Sequence, residues 1–274
     1  MPLNLTHVLA HAHRYLWANR QDLFAYAFLP VVLLAMIETA ALWASGGWKA
    51  MFQPVVLDPN DPEAAATVLR IGITHLLRIA ALAFAYVMFA IPWYRKQLVG
   101  DAGQQISTVL RWSPRHWRFI FSCFALILGL AGLIMVISIP LNALGALIPG
   151  FTIAGPALLL IFIGLTGARV LMAFPALAVD EPLGFRQSIL MTQGRSWMLF
   201  GIAILPLAGT IMIALVVSNL IAAILVPLIG PSISLVLVTV LLLDALSFIG
   251  FAIQISALAY VYQQLTAPGR TGSV

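Results

Sequence analysis

Ionisable side chains inside otherwise apolar segments are the residues of this sequence whose types and spacing could do chemistry. They are Glu38, His75, Arg78 and Asp244, and each is costly to bury in a bilayer without a partner. At about 1.5 Å of rise per helical residue, antiparallel helices would bring Glu38 level with His75 and within reach of Arg78. Two interpretations follow, a polar cavity or relay through the membrane, or buried ion pairs that fix helix register. We favour ion pairs, because no further acidic or polar residues cluster around these positions.

Basic residues near the ends of the apolar segments form the second candidate set. Arg169 is predicted either to belong to the intramembrane polar set or to extend toward lipid headgroups. Five others flank predicted amphipathic helices, where anionic lipid would attract each of them by about 1 kcal/mol. These candidates for anionic-lipid binding are Arg111, Arg115, Arg118, Arg186 and Arg195. A general excess of positive charge on the cytoplasmic side would explain the same residues, and neither explanation requires nucleic acid as a partner.

Sequence motifs of enzymes and metal sites are missing from the chain. It contains no G-x-S-x-G, no P-loop, no H-E-x-x-H and no C-x-x-C. His7 and His11 have the i, i+4 spacing that could place two imidazoles on one metal ion, but no nearby carboxylate or cysteine completes a site. Asp180 and Glu181 precede Pro182 and are predicted to be helix punctuation. We therefore predict no catalytic residue, no metal site and no cofactor, which indicates a non-enzymatic protein.

The composition of the chain requires a membrane. Of its 274 residues, 62% are hydrophobic and 8% are charged, whereas a soluble domain carries about 25% charged residues. A spanning helix needs about 20 mostly apolar residues, and six segments meet this requirement. They are residues 22–44, 69–93, 118–140, 152–175, 197–220 and 232–262. The predicted fold is therefore an all-α, polytopic membrane protein in which residues 1–274 form a single membrane domain.

Three shorter segments are predicted to be amphipathic helices that lie in the cytoplasmic interface. The first covers residues 4–19, where an apolar stripe faces away from His7 and His11. The other two, at about 102–112 and 183–193, connect pairs of spans along the inner leaflet. His116, between Arg115 and Trp117, is predicted to contact lipid headgroups.

Lysine and arginine are distributed unequally between the two sides of the predicted bundle. With both termini inside, the short cytoplasmic segments hold most of them, whereas Lys49 is the one basic residue in a loop on the other side. This asymmetry predicts a bacterial inner-membrane protein with both termini in the cytoplasm.

The positions of the tryptophans support the same arrangement of spans, since an indole prefers headgroup depth. The sequence places Trp17, Trp93, Trp112, Trp117 and Trp197 at the inner interface and Trp43 and Trp48 at the outer one.

Two stretches of the chain are blurred copies of each other. Residues 90–92 and 173–175 share the pattern Ala-x-Pro, and residues 115–117 and 195–197 share the pattern Arg-x-Trp. Each stretch runs from the end of one apolar span to the start of the next. The sequence therefore predicts a parallel repeat of about 69–140 and 152–220, in which both copies turn along the inner leaflet.

The second copy also resembles a family of bacterial six-helix inner-membrane proteins. The resemblance rests on Arg169, the Phe174-Pro175-Ala176 break, Asp180-Glu181, Ser188, Gly194-Arg195 and Trp197. The family comprises the YciC-like proteins and the membrane domain attached to some glycerophosphodiester phosphodiesterases. The resemblance implies an inner-membrane protein of undefined role. Only about ten residues follow the sixth span, so phosphodiesterase activity is not expected to carry over.

Two functions are compatible with these features. The first is a non-enzymatic scaffold or lipid-interacting component of the cell envelope, supported by the basic inner face and the lack of catalytic motifs. The alternative is a transport component, either a permease-like subunit or a small transporter that uses the intramembrane charges. The expected partners are membrane lipids, with a membrane protein or further copies of the chain as additional candidates. An embedded lipid enzyme is disfavoured, because no acids or nucleophiles converge.

Overall fold

Long apolar segments without water-exposed polar faces form helices, because a helix satisfies its backbone hydrogen bonds internally. The computed structural model describes residues 4–48, 64–100, 112–148 and 151–267, and every regular element among them is helical. The helices are α1 (Leu5–Ala18), α2 (Arg20–Ala44), α3 (Ala64–Val99), α4 (Pro114–Leu147), α5 (Phe151–Val170), α6 (Ala173–Ala178), α7 (Phe185–Met191), α8 (Ser196–Ile229) and α9 (Ile233–Thr266).

Six candidate membrane spans lie within the described residues, which confirms the predicted all-α, six-span architecture. They comprise α2, α3, α4, the α5–α6 pair, α8 and α9, all long and apolar enough to cross a bilayer. The predicted short helix at 183–193 is confirmed as α7, with bounds a few residues tighter. The predicted helix at 102–112 falls almost entirely on residues outside the described part of the chain.

Helices α4 and α8 continue beyond the predicted span ends at residues 140 and 220. Helix α4 continues through Pro140 to Leu147, and α8 continues through Pro206 and Pro227 to Ile229. A proline removes one backbone donor and kinks a helix, but in membrane helices the neighbouring structure compensates and the helix continues. The chain then reverses at Gly230, whose φ of 74° lies in the left-handed region that glycine adopts without strain.

The fourth span is broken where the sequence predicts a continuous helix. Helix α5 ends at Val170, and α6 begins at Ala173. The backbone between them is tightened by hydrogen bonds from Leu171 N to Ala168 O (3.3 Å) and from Phe174 N to Leu171 O (3.2 Å). Pro175 therefore lies in the first turn of a new helix, where its missing N–H costs nothing, and it does not close the preceding one.

Helix α9 is the centre of the bundle. It packs against α1, α2, α3, α6 and α8, while α4 and α5 complete the ring between α3 and α8. Contact with α8 is close at Gly250, where a Cβ atom would lie 2.6 Å from Thr210 Oγ1 and 3.3 Å from the Pro206 carbonyl oxygen. Glycine at this position permits the close helix approach that is common in membrane bundles.

The buried core is concentrated at one end of the bundle, which we call the basic end. This end carries α1, α6, α7, the start of α2, α4 and α8, and the last turns of α3 and α9. Its largest fully buried side chains include Phe89, Trp93, Tyr94, Phe119 and Met172. The outward faces of α4 and α8 instead expose large apolar side chains over most of their length, a surface that a bilayer would cover.

Helix α1 packs on the bundle with the face that the sequence identifies as apolar. Val8, Ala12 and Leu16 are buried against α9 and α8. The predicted position of His11 on the polar face is wrong. Its ring stacks on Tyr260 of α9, with centroids 4.0 Å apart, because a half-buried imidazole can fill the edge of a helix interface with its apolar ring face.

Acidification is expected to loosen α1 through His11. Burial, then the charges of Arg14 and His7, lower the pKa of His11 from 6.5, so the neutral ring stabilises the docked helix. This contribution is complete above about 6.5 and is lost as the pH falls below that value, when the ring must take up a proton. The protection factors of residues 5–18 in hydrogen exchange, which correct for the pH dependence of the intrinsic exchange rate, should therefore fall between pH 7.5 and about 5.5. A His11→Phe variant should lose this dependence, whereas His13→Gln, on the exposed side, should keep it.

Trp93 is not at the membrane interface as predicted. It is fully buried, and its Nε1 donates a hydrogen bond to Ser256 Oγ at 2.8 Å. Trp17, Trp117 and Trp197 at the basic end and Trp43 at the opposite end are exposed, as residues at headgroup depth would be. The aromatic pattern therefore indicates the ends of the spans, although one of its members belongs to the core.

Candidate functional site

The predicted intramembrane polar set is brought together in part, between α2, α3 and α9. Arg78 Nε lies 3.0 Å from Glu38 Oε1, and the two form an ion pair. The side chain of Glu38 is 5% exposed and that of Arg78 is 55% exposed. The guanidinium therefore reaches into the bundle from its rim to meet a carboxyl group that is inside it.

Asp244 is the third member of this group, which we call the intramembrane cluster. It lies on the buried face of α9 that repeats every four residues through Val236, Val240 and Phe248. Asp244 is 5% exposed, and its helix packs against both α2, which carries Glu38, and α3, which carries Arg78. Its Oδ2 atom has no hydrogen-bond partner among the described residues. The cluster thus combines two buried carboxyl groups with one guanidinium.

His75 is not brought to the intramembrane cluster. Its side chain is exposed on α3, one turn before Arg78. Residues three apart on a helix point in directions that differ by about 60°. The long arginine side chain can bridge that angle and reach Glu38, whereas the shorter imidazole cannot. Depth in the membrane therefore predicted that Glu38 could pair with Arg78, but it did not show that His75 would stay away from Glu38.

Arg169 lies outside the intramembrane cluster, where α5 meets α7. Its Nη2 donates to the carbonyl oxygen of Ile189 at 2.6 Å, and Ser188 Oγ donates to the carbonyl oxygen of Arg169 at 2.6 Å. These bonds hold the short helix α7 against the end of α5. A cleft of about 370 Å³ lies beside Arg169, and its lining includes Thr166 and Ser196 as well as apolar side chains.

Three arginines surround one carboxylate at the basic end. Arg115 Nε donates to Oδ1 and Oδ2 of Asp180 at 3.1 and 3.0 Å, and its Nη2 contacts Oδ2 as well. Arg95 Nη1 and Arg118 Nη1 each lie 4.0 Å from the same carboxylate. We call Asp180 and these three residues the arginine cluster. Its formal charge is +2, from three guanidinium groups and one carboxylate.

The backbone conformation of Asp180 places its carboxylate within reach of all three arginines. Its φ is 61°, a left-handed conformation that aspartate tolerates better than most residues, in the turn after α6. The hydrogen bonds from Arg115 are the largest cause that lowers the pKa of Asp180, and the charges of Arg115, Arg118 and Arg95 lower it further. The carboxylate is therefore ionised throughout the physiological range and is more than helix punctuation.

Two of the remaining predicted lipid-binding residues are described by the structure and lie at the basic end. Arg186 and Arg195 are exposed, and Arg111 lies outside the described residues. His116, predicted to contact headgroups, is buried. Its Nδ1 accepts a hydrogen bond from the Ser113 backbone N–H at 3.1 Å, so it caps the start of α4 and does not face lipid.

A polar network between α3 and α9 was not anticipated from the sequence. Gln97 Nε2 donates to the Ser256 carbonyl oxygen at 3.0 Å, and Gln263 Nε2 donates to the Gln97 carbonyl oxygen at 3.1 Å. The Tyr262 hydroxyl donates to Glu181. One signal was present, since Ser256 and Gln263 are seven residues apart and share a face of an otherwise apolar helix.

Comparison of the chain with protein-family models, with curated proteins and with solved structures finds no match. The resemblance to the YciC-like proteins therefore stays a prediction. Within the part of the chain that the structure describes, no group of three or more His, Cys, Asp or Glu side chains could hold a metal ion. What the geometry does establish is a multi-pass membrane protein with two separate charged clusters.

Proposed function

We propose that this chain is a non-enzymatic bacterial inner-membrane protein that binds anionic phospholipids at its basic end, with both termini in the cytoplasm. In this role it acts as a scaffold or lipid-interacting component of the cell envelope. The observation that carries the proposal is the arginine cluster, where three guanidinium groups meet a single carboxylate. The excess positive charge lies where the helices leave the apolar part of the bundle, which is the depth of lipid phosphates.

Exposure supports an interaction of the arginine cluster with lipid. Arg118 is the most exposed of the three arginines, with 65% of its side chain accessible, compared with 25% for Arg115. Guanidinium groups bind phosphate oxygens through paired hydrogen bonds. Trp117, next to Arg118 in the chain, is also exposed, and an indole is stabilised among headgroups. Arg118 can therefore bind a phosphate while Arg115 keeps Asp180 in place.

A groove between α2 and α9 supports the same function. It has a volume of about 390 Å³, and its walls are apolar side chains such as Phe24, Phe28 and Phe248. Arg20, at the basic end of α2, is the one charged residue that lines it. An acyl chain fits such a wall, with its phosphate near the arginine.

Anionic-lipid binding by the purified full chain tests the proposal. Native mass spectrometry with phosphatidylglycerol should show that Arg118→Gln weakens binding about fivefold, since each interfacial basic residue contributes about 1 kcal/mol. Arg118→Lys should retain most of the affinity. Arg70→Gln is the matched control, because Arg70 is exposed on α3 toward the opposite end of the bundle. No loss in Arg118→Gln, or an equal loss in Arg70→Gln, would contradict the proposal.

The second candidate function is a transport component, alone or with a membrane-protein partner or further copies of the chain. The intramembrane cluster favours it, because charged groups inside spans mark ion and substrate pathways in many membrane proteins. The ion pair of Glu38 with Arg78 weakens it, since these two charges already satisfy each other. Ion or solute flux into liposomes that contain the purified protein is the direct test, and no flux above protein-free liposomes would exclude a stand-alone transporter.

A further inference from the structure

The charges of the intramembrane cluster do not balance. Two carboxyl groups, Glu38 and Asp244, are both 5% exposed, and one guanidinium, Arg78, is paired with Glu38 at 3.0 Å. With every group ionised, the cluster would carry one uncompensated negative charge. In the apolar part of a bilayer such a charge is strongly disfavoured, so a further cation must be held there.

The position of Asp244 shows where that cation belongs. At about 1.5 Å per residue, it lies about 17 Å along α9 from Ile233, near the middle of a span. Its Oδ2 is buried and accepts no hydrogen bond from any described residue. The neighbouring walls are apolar, since Ala35, Val236 and Val240 pack together here. A proton bound to this oxygen would remove a charge that no described side chain pairs with.

Among the residues that the structure describes, no other titratable group supplies the missing charge. Of the helices packed against α9, α2 carries Glu38 and α3 carries Arg78, and these two side chains form an ion pair. Helix α8 contains no titratable residue along its length. Helices α1 and α6 contact α9 at the basic end, with His7 and His11 beside Tyr260, well away from Asp244. His75 on α3 is exposed to the outside of the bundle.

We propose that the intramembrane cluster is a proton-binding site, in which Asp244 and Glu38 together hold one exchangeable proton and Arg78 balances the other carboxylate. The proton resides on Asp244, because Glu38 is the carboxyl group in contact with the guanidinium. Thr39 Oγ1 is a second buried polar atom without a partner among the described residues, next in the chain to Glu38. The site goes beyond lipid binding at the basic end and is independent of it.

Infrared spectroscopy of the full chain in micelles of an ester-free detergent tests this proposal, because a protonated carboxyl group has a carbonyl band that a carboxylate lacks. The wild-type protein should show this band at neutral pH, and Asp244→Asn should lose it. Glu38→Gln should lose it as well, since Arg78 is then available to balance an ionised Asp244. Arg78→Gln should make the band about twofold stronger, because two carboxyl groups without a guanidinium both take up protons.

Three controls keep the outcome decisive. Asp244→Glu should retain a shifted band, which shows that loss in Asp244→Asn does not come from misfolding. Arg70→Gln, also on α3 but outside the cluster, should leave the band unchanged. The spectra are also recorded after sodium and potassium are replaced by a bulky organic cation. A band that appears only then would overturn the proposal in favour of a metal cation. A wild-type spectrum without the band in either buffer would overturn it outright.

Discussion

Replacing Trp93 with alanine is expected to lower the free energy of unfolding by about 3–5 kcal/mol, the range for large buried aromatic side chains. Trp93 is completely buried at the basic end, and it contacts Tyr15, Tyr26 and Phe89 from three helices. Its removal leaves a cavity and also leaves Ser256 Oγ without the donor that it has at 2.8 Å. Reversible unfolding of the protein in mixed micelles, followed by circular dichroism, measures the loss.

Exposed tryptophans at the same end of the bundle provide the matched control. Trp17 and Trp197 are 64% and 65% exposed, so truncation of either should cost less than about 1 kcal/mol. If all three substitutions have similar small effects, Trp93 is at the membrane interface after all. A large loss in Trp93→Ala alone would establish the buried core at the basic end that helix α1 covers.

The comparison of Trp93 with Trp17 also shows what sequence reasoning can and cannot predict here. Six spans follow from the length of the apolar segments, because the bilayer sets the minimum length of a helix. Side-chain burial at the span ends does not follow, since a tryptophan has the same composition and depth whether it faces lipid or a neighbouring helix. His116 illustrates the same limit. Its chain neighbours Arg115 and Trp117 suit the headgroup region, but the imidazole itself is buried and caps the start of α4.

Helix ends were predicted less well than helix existence, for a related physical reason. In water a proline ends a helix that has nothing else to hold it. Within an apolar bundle, packing compensates for the lost hydrogen bond, so α4 and α8 continue through Pro140 and Pro227. The break after Val170 depends on a tertiary contact. Ser188 donates a hydrogen bond to the carbonyl oxygen of Arg169, and because the two residues are 19 positions apart, the local sequence around Val170 does not predict it.

Of the two charged clusters, the sequence predicted one in part and did not predict the other. Glu38 and Arg78 could be paired from the sequence because helical rise converts residue numbers into depth, and adjacent antiparallel helices limit the choice of partners. The arginine cluster could not be predicted in this way. Its members come from α3, α4 and the turn after α6, and only the folded arrangement shows that Asp180 lies between them.

Replacing Arg78 with leucine is expected to destabilise the protein by about 3 kcal/mol, the lower end of the range for breaking a buried ion pair. Glu38 is 5% exposed and would lose its charge partner, whereas Arg78, being half exposed, loses little packing. The Glu38→Leu substitution alone should cost less, because the remaining arginine can extend toward headgroups or water. Mixed-micelle unfolding measures both variants, and Arg70→Leu on the same helix serves as the control for charge and helix propensity.

The stability of the double variant Glu38→Leu, Arg78→Leu distinguishes two cases. Either the ion pair contributes net stability to the bundle, or the protein loses stability only when one partner is left without the other. When both charges are replaced by apolar side chains, neither has to be desolvated, so stability should return to within about 1 kcal/mol of the wild type. The coupling free energy from this cycle is then about 2 kcal/mol or more, as expected for residues in direct contact. Additive losses in the double variant would mean that Glu38 and Arg78 do not interact in the membrane. Recovery would show that this pair contributes little net stability, which leaves Arg78 with the role of balancing one of the two buried carboxyl groups of the intramembrane cluster.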